Sequence, residues 1–423
     1  MAQNWFLGDL LTQVFDVRPG RMRGVTDKRS LVELTEALLS AEGEVSGYRL
    51  AATLLERYAA ASEDDKLIFF LHLNDALEID AGEVARLAQE YADVPSTALF
   101  QQLSRASEPR RQELLRRLNQ PSGATQALVA MRVDLLRLRK DHPELARTDY
   151  DFRHLLRSWF NRGFLVLRQI DWTTPARILD KIVAYEAVHR IDDLDDLRRR
   201  VEPDDRYCFA FFHPSMPEEP LIFVEVALTN AIPGSIDALL SEDREALDPS
   251  AATVAAFYSI SNCQAGLAGV SFGNFLIKQV VSEIASGCPS VRTFATLSPI
   301  PGLVRWLEAE EVAPDALTSA ELRGLAALYL TEAKREDGQP LDPVARFHLG
   351  NGAEVYDVHA GADASDRGRA QSGGAMVNYL YDISKTERHH EQFASTGKVT
   401  AARRVQSLAA AAKPVRTEAT ITP

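Results

Sequence analysis

The 423-residue sequence predicts an α+β protein, with an all-helical N-terminal domain over residues 1–162 and a mixed-sheet α/β domain over residues 163–423. Three observations carry this reading. Apolar residues recur at helical spacing in the first third, as at Leu31, Leu34 and Leu38 and at Leu128, Met131, Leu135 and Leu138. From Gly163 onward, short runs rich in β-branched and aromatic residues replace that period. Hydrophobic residues make up 46% and charged residues 25% of the chain, a globular balance with enough length for two or three domains.

The helical third is punctuated by Ala41-Glu42-Gly43, Ser62-Glu63-Asp64-Asp65, Asp93-Val94-Pro95-Ser96 and Gln120-Pro121-Ser122-Gly123, which leaves room for six to eight helices. Ser62 with Asp65, and Ser107 with Pro109, read as helix starts. Strands follow over 163–170, 207–212, 221–228 and 253–260. A helix over 272–286 gathers Leu276, Ile277, Val280, Val281 and Ile284 on one face, and a fifth strand over 291–298 is halted by Pro299-Ile300-Pro301-Gly302. Strand, helix, strand in that order predicts a right-handed βαβ crossover within a mixed sheet. The Ala-rich stretch after Lys398 predicts a last helix.

The formal net charge of -13 disfavours nonspecific nucleic-acid binding, so no nucleic-acid partner is expected. No run approaches ~18 apolar residues, and no membrane association is expected. Met1-Ala2-Gln3-Asn4-Trp5 lacks a basic segment ahead of an apolar one, and Asp9 and Asp16 argue against a transit peptide. Three cysteines without a CxxC pair suit a reducing compartment, and the expectation is cytoplasmic.

Five constellations could carry chemistry. Asp192-Asp193-Leu194-Asp195-Asp196 has the DDxxD form of a Mg²⁺ site, but Arg198, Arg199 and Arg200 lie within helical pairing reach, so a solvated helix face is the better reading. His389 and His390 diverge by about 100° on a helix and read as a surface pair, so no metal is expected. Gly269-Val270-Ser271-Phe272-Gly273 has the GxSxG form of a hydrolase elbow, yet residues 261–268 separate it from the preceding strand. The same stretch supports another reading. Gln264-Ala265-Gly266-Leu267-Ala268-Gly269 leads from strand to helix, where small residues admit an anion to backbone N–H groups and the helix dipole favours it.

Finally, Ser298 sits at a strand end against two prolines, and His348 lies in an apolar setting before a Gly turn. Each has a plain structural alternative, a turn-capping serine and a packed histidine. Residues 372–381, small residues ending in Asn378, Tyr379 and Tyr381, read as a functional loop.

The Gln264–Gly269 pattern resembles the coenzyme-A-binding loop of the GCN5-related acetyltransferase fold. A wider set of motifs resembles the malonyl-CoA decarboxylase family. It comprises Tyr185-Glu186-Ala187-Val188-His189, Glu219-Pro220-Leu221 with Val226-Ala227-Leu228-Thr229, Phe257-Tyr258-Ser259-Ile260-Ser261, the stretch 264–278, Leu297-Ser298-Pro299-Ile300-Pro301-Gly302, Phe347-His348-Leu349 with Asn351-Gly352-Ala353, and Met376-Val377-Asn378-Tyr379. They stand in family order over about residues 155–382.

The resemblance implies a helical domain used for homo-oligomer contacts and an acetyltransferase-like catalytic domain. It implies conversion of malonyl-CoA to acetyl-CoA and CO₂ without metal or organic cofactor. Carried over, the catalytic residues are Ser298, His348 and Tyr381, with Tyr379 the second choice for the tyrosine. The substrate-binding residues are Gln264, Ala268, Gly269, Val270, Ser271, Phe272, Gly273, Asn274 and Asn378. Eukaryotic members carry an acid where Ser271 stands and end in Ser-Lys-Leu, whereas this chain ends Thr420-Ile421-Thr422-Pro423, as expected of a bacterial-type enzyme. Chemically, loss of CO₂ leaves a thioester enolate, which needs an oxyanion site and a proton donor, the Ser/His pair. The rivals are a CoA-dependent N-acyltransferase on the same fold and a serine hydrolase using Ser271.

Overall fold

The structure is a computed structural model that describes residues 27–270 and 275–419. It divides into two units, Met1–Asn161 with Gln264–Ser271, and Arg162–Cys263 with Phe272–Pro423.

The described part of the first unit contains eight α-helices: α1 (Leu31–Ser40), α2 (Glu44–Ala59), α3 (Glu63–Asp75), α4 (Ala81–Asp93), α5 (Thr97–Ala106), α6 (Arg110–Leu118), α7 (Ala124–Leu138) and α8 (Ala146–Trp159). Side chains close the N-termini of four of them. Ser30 and Glu33 form a capping box on α1, and Ser62 accepts from the Asp65 N–H on α3. The expected start at Ser107 is displaced. Ser107 closes α5, and α6 begins after Pro109, whose missing N–H costs a helix start nothing. Leu34, Leu38, Leu128 and Leu135, from the runs at helical spacing, are fully buried, and Leu54, Phe69, Phe70, Leu73 and Leu114 join them.

Within this core, α7 donates a buried arginine. Arg132 Nε bonds Asp149 at 2.8 Å, and one of its terminal nitrogens donates to the carbonyls of Gly266 (2.7 Å) and Ala268 (2.8 Å). Residues Ala265–Leu267 form a 3₁₀ turn here, and a Cβ on Gly266 would overlap the Val129 carbonyl of α7. Gly266 is therefore required by helix packing. That reason differs from the approach of an anion, for which the sequence nominated it.

The second unit is built on eight strands among its described residues: β1 (Val166–Ile170), β2 (Arg206–Phe212), β3 (Ile222–Thr229), β4 (Val254–Asn262), β5 (Thr293–Thr296), β6 (Ser298–Pro299), β7 (Glu354–His359) and β8 (Met376–Tyr381). Its helices are α9 (Ala176–Tyr185), α10 (Leu194–Val201), α11 (Ile236–Leu240), α12 (Phe275–Gly287), α13 (Leu303–Ala309), α14 (Ser319–Glu332), α15 (Pro343–Gly350), α16 (Asp366–Ser372), α17 (Thr386–Thr396) and α18 (Arg403–Ala419). Strands β1 to β4 are successive antiparallel neighbours, and β5 lies parallel to β4 with α12 in the connection, as the strand–helix–strand order predicts. Strand β8 runs antiparallel to β5 and β6 along one side and to β7 along the other.

Four sequence readings change here. Residues 376–381 form a buried strand, not a loop; the glycines before them mask a β-prone run. Pro299 does not end the ladder but lies in it opposite Met376. His389 is buried and His390 Nδ1 meets the Gly350 carbonyl at 2.7 Å, so they are not a surface pair. On α10, Asp193 caps the helix and Arg198 pairs with Glu202 in solvent, but Arg200 is buried against Asp196 (2.9 Å) and Glu225 (3.5 Å). Burial pushes the Glu225 carboxyl up to about 8. The Glu186 carboxylate accepts from the N–H groups of Val188 and His189 and from the hydroxyls of Ser259 and Ser261, which gives two of the family-like motifs a structural role.

Candidate active site

Three elements of the second unit bring Ser298, His348 and Tyr381 together. Asp342 caps α15 by accepting the Ala345 N–H at 2.8 Å, and Pro343 occupies the first helical position, where its fixed φ suits the turn. The helix then carries His348, 3% exposed, into the interior. Ser298 comes from β6 and is 6% exposed. Its Oγ lies 3.2 Å from His348 Nε2 and donates to Thr296 Oγ1 at 2.8 Å. On the other side of the imidazole, Nδ1 meets the Tyr381 hydroxyl of β8 at 2.8 Å.

The surroundings fix the ring further. Tyr379 stacks on His348 at 4.5 Å between ring centres with 23° between planes, and Phe347 approaches edge-on at 5.1 Å. Burial pushes the imidazole down to about 3, so it is neutral near pH 7. Burial also raises the Tyr381 phenol, which stays protonated, and lifts the Asp342 carboxyl to about 6. The site thus holds a neutral Ser–His–Tyr chain of hydrogen bonds out of water. Such a chain can orient a hydroxyl and pass a proton, and a negative charge entering it would meet few competing water dipoles.

The two tyrosines separate by geometry: Tyr381 bonds the ring edge, and Tyr379 covers its face. Asn378 directs both amide N–H donors inward, to the carbonyls of Thr296 (2.8 Å) and Pro233 (3.0 Å), and its oxygen meets His359 Nε2 at 2.6 Å. No donor of Asn378 is left for a ligand. Gln264, Ala268, Gly269 and Val270 lie in the loop grouped with the helical unit, where Ala268 and Gly269 are exposed, Val270 is buried and Gly269 has φ of +73°. Ser271, Phe272, Gly273 and Asn274 lie outside the described residues.

Thr296, which accepts from the Ser298 hydroxyl, is a further member of the site. Its signal was present in the sequence, since residues two apart on a strand share a face. Asp342 was also legible, as an Asp-Pro helix start six residues before the histidine.

The chain matches known proteins over both units. The family model of the malonyl-CoA decarboxylase C-terminal domain matches residues 163–321 and 313–419, and that of the N-terminal domain matches residues 77–160. The mitochondrial malonyl-CoA decarboxylase of Anser anser anser is 35% identical over 350 residues, covering 71% of this chain and 69% of its own. The crystal structure of malonyl-CoA decarboxylase from Rhodopseudomonas palustris superposes with a TM-score of 0.83 at 49% identity, covering 89% of this chain and 98% of the other. That from Agrobacterium vitis gives 0.84 at 43% identity, over 90% and 99%. On this evidence, the chain belongs to the malonyl-CoA decarboxylase family.

Proposed function

We propose that this enzyme converts malonyl-CoA to acetyl-CoA and CO₂, with Ser298 and His348 as the proton-delivering pair and Tyr381 orienting the imidazole. The observation that carries this reading is the buried Ser298–His348–Tyr381 chain, at 3.2 and 2.8 Å.

The C–C bond to the carboxylate breaks, CO₂ leaves, and the electron pair becomes a thioester enolate. Backbone N–H groups hold the enolate oxygen, and the carbon takes its proton from the Ser298 hydroxyl. His348 refills Ser298 from Nε2. The arriving carboxylate raises the proton affinity of the buried imidazole, so one proton enters from solvent with each substrate and leaves in the new methyl group. Acyl-CoA is assigned to the carried-over residues Gln264 and 268–274, supported by the exposed Gly269 turn.

The test is purified protein with malonyl-CoA and no amine. Acetyl-CoA and CO₂ are expected in equal amounts. Ser298→Ala and His348→Ala should each lower kcat by about 10²–10⁴-fold. CoA release only on adding an amine would instead indicate the N-acyltransferase, and fluorophosphonate labelling of Ser271 the hydrolase.

The finer assignments follow the same reading. Cys208, Cys263 and Cys288 are free and buried, which supports a reducing, cytoplasmic location. Among the described residues no helix is long and apolar enough to cross a membrane. Exposed Val94 and Phe100 support homo-oligomer contacts through the helical unit, to be checked by light scattering.

A further inference from the structure

The ladder between β8 and the β5–β6 edge has a gap directly beside Ser298. Phe294 and Ala295 pair with Tyr381 and Leu380, and Ser298 and Pro299 pair with Val377 and Met376, in one continuous register. Between them, side chains replace backbone partners. The Tyr379 N–H donates to Thr296 Oγ1 at 3.1 Å, and Asn378 Nδ2 donates to the Thr296 carbonyl at 2.8 Å. Leu297 meanwhile turns its N–H to Phe257 of β4 at 2.9 Å. Thr296 is 1% exposed, so its hydroxyl cannot be serving solvent.

What this gap holds is a hydroxyl in contact with the reactive one. Ser298 has a single proton and two neighbours able to accept it, Thr296 Oγ1 at 2.8 Å and His348 Nε2 at 3.2 Å. The heavy-atom geometry directs it to Thr296. The lone pairs of Ser298 then face His348, so a hydrogen bond at 3.2 Å requires the proton to be on Nε2. Nδ1 becomes the acceptor, and the Tyr381 O–H donates to it.

We propose that Thr296 is a positioning residue for decarboxylation. By accepting the Ser298 proton, it holds the Ser298 oxygen with its lone pairs toward Nε2–H, the direction from which the imidazole, once it has gained its second proton, hands one to Ser298. Its own place is set by the Tyr379 N–H and the Asn378 amide, which gives that asparagine a role inside the protein. This inference rests on the Ser298/His348 reading. Thr296 acts through Ser298 and does not itself touch the substrate.

The test is steady-state malonyl-CoA decarboxylation by Thr296→Val, Thr296→Ala and Thr296→Ser, each alone and combined with Ser298→Ala. Val and Ala should lower kcat about 10–100-fold with KM within about threefold, since loss of orientation acts on the chemical step. Ser, which retains the hydroxyl, should restore kcat to within about threefold of wild type. In the Ser298→Ala background, removing the Thr296 hydroxyl should add less than about a further twofold, because residues acting as a unit are not additive.

Near-normal kcat in the Ala variant overturns the proposal, as does a Ser variant as slow as Ala. So does a loss that multiplies in the Ser298→Ala background, which would mark a purely structural role. If Val does not fold, the smaller Ala and the hydroxyl-retaining Ser decide. Full activity of Ser298→Ala alone would sink the Ser298/His348 reading itself; loss in Ser298→Ala with full activity in Thr296→Ala sinks only the role of Thr296.

Discussion

Tyr381→Phe removes one oxygen atom from the site and leaves the ring that packs around it. In the native protein that oxygen lies 2.8 Å from His348 Nδ1, in surroundings where the imidazole is 3% exposed. Nδ1 would lose this partner with little access to water, and an unmet buried polar atom costs about 1–3 kcal/mol. Tyr379 would still stack on the ring, so the imidazole should stay in place but lose its preference for one tautomer. Realised in the transition state, that energy lowers kcat by about 5- to 150-fold.

The assay is kcat and KM for malonyl-CoA, with urea unfolding of the same samples. We expect kcat to fall in this range, KM to move by less than about threefold, and stability to drop by no more than about 3 kcal/mol. Unchanged kcat with a raised KM would refute the reasoning. It would mean that Tyr381 serves the substrate directly and that the ring needs no orienting partner.

The remaining predictions concern the scaffold. Arg132→Ala should destabilise the protein by about 3 kcal/mol, the lower end for a broken buried pair because Asp149 keeps Arg139 at 2.5 Å; urea unfolding measures it. Arg132→Lys should recover only part, since an ammonium cannot reproduce the fork that reaches both Asp149 and two carbonyls. Gly266→Ala should cost at least about 1–3 kcal/mol, because its Cβ would meet backbone of α7 and not a side chain that can turn away; wild-type stability would show that α7 moves freely.

Stability should also fall as pH rises from 6.5 to 8. Glu225, raised by burial to about 8, keeps in the folded state a proton that the unfolded chain releases near 4.5. Its contribution is complete below 4.5 and is lost as pH climbs toward 8, at up to about 1.4 kcal/mol per pH unit. Below 6.5 the buried imidazoles of His189 and His348, pushed down to about 4 and about 3, act in the opposite direction, since the unfolded chain takes up protons that they refuse. Glu225→Gln should flatten the slope above pH 6.5 in urea midpoints; an unchanged slope would assign it to another group.

Much of the fold can be read along the chain because its signals are local. The period of Leu31, Leu34 and Leu38, the cap at Ser62 and the apolar face of α12 each depend on residues within a few positions. Strand β8 is not legible along the chain for the same reason. Its neighbours in the sheet come from residues 293–299 and 354–359, and only that pairing makes 376–381 a strand. Ser298 and His348 stood out by setting and by family resemblance. Thr296 shares a strand face with Ser298 in the sequence, but its contacts with Asn378 and Tyr379 exist only once the segments around 296 and 378 meet.

The sequence by itself determined a helical third followed by a mixed sheet, and it named a serine, a histidine and a tyrosine spread over residues 298–381. Local propensity, periodicity and motif order are all properties of the chain. The tertiary structure alone decided that β6, α15 and β8 bring these three into one buried chain of hydrogen bonds. It also decided that Tyr379 stacks where Tyr381 bonds, and that Gly266 serves the packing of α7. Burial and hydrogen-bond partnership depend on which distant segments meet, and it is burial that keeps His348 neutral until a substrate carboxylate arrives.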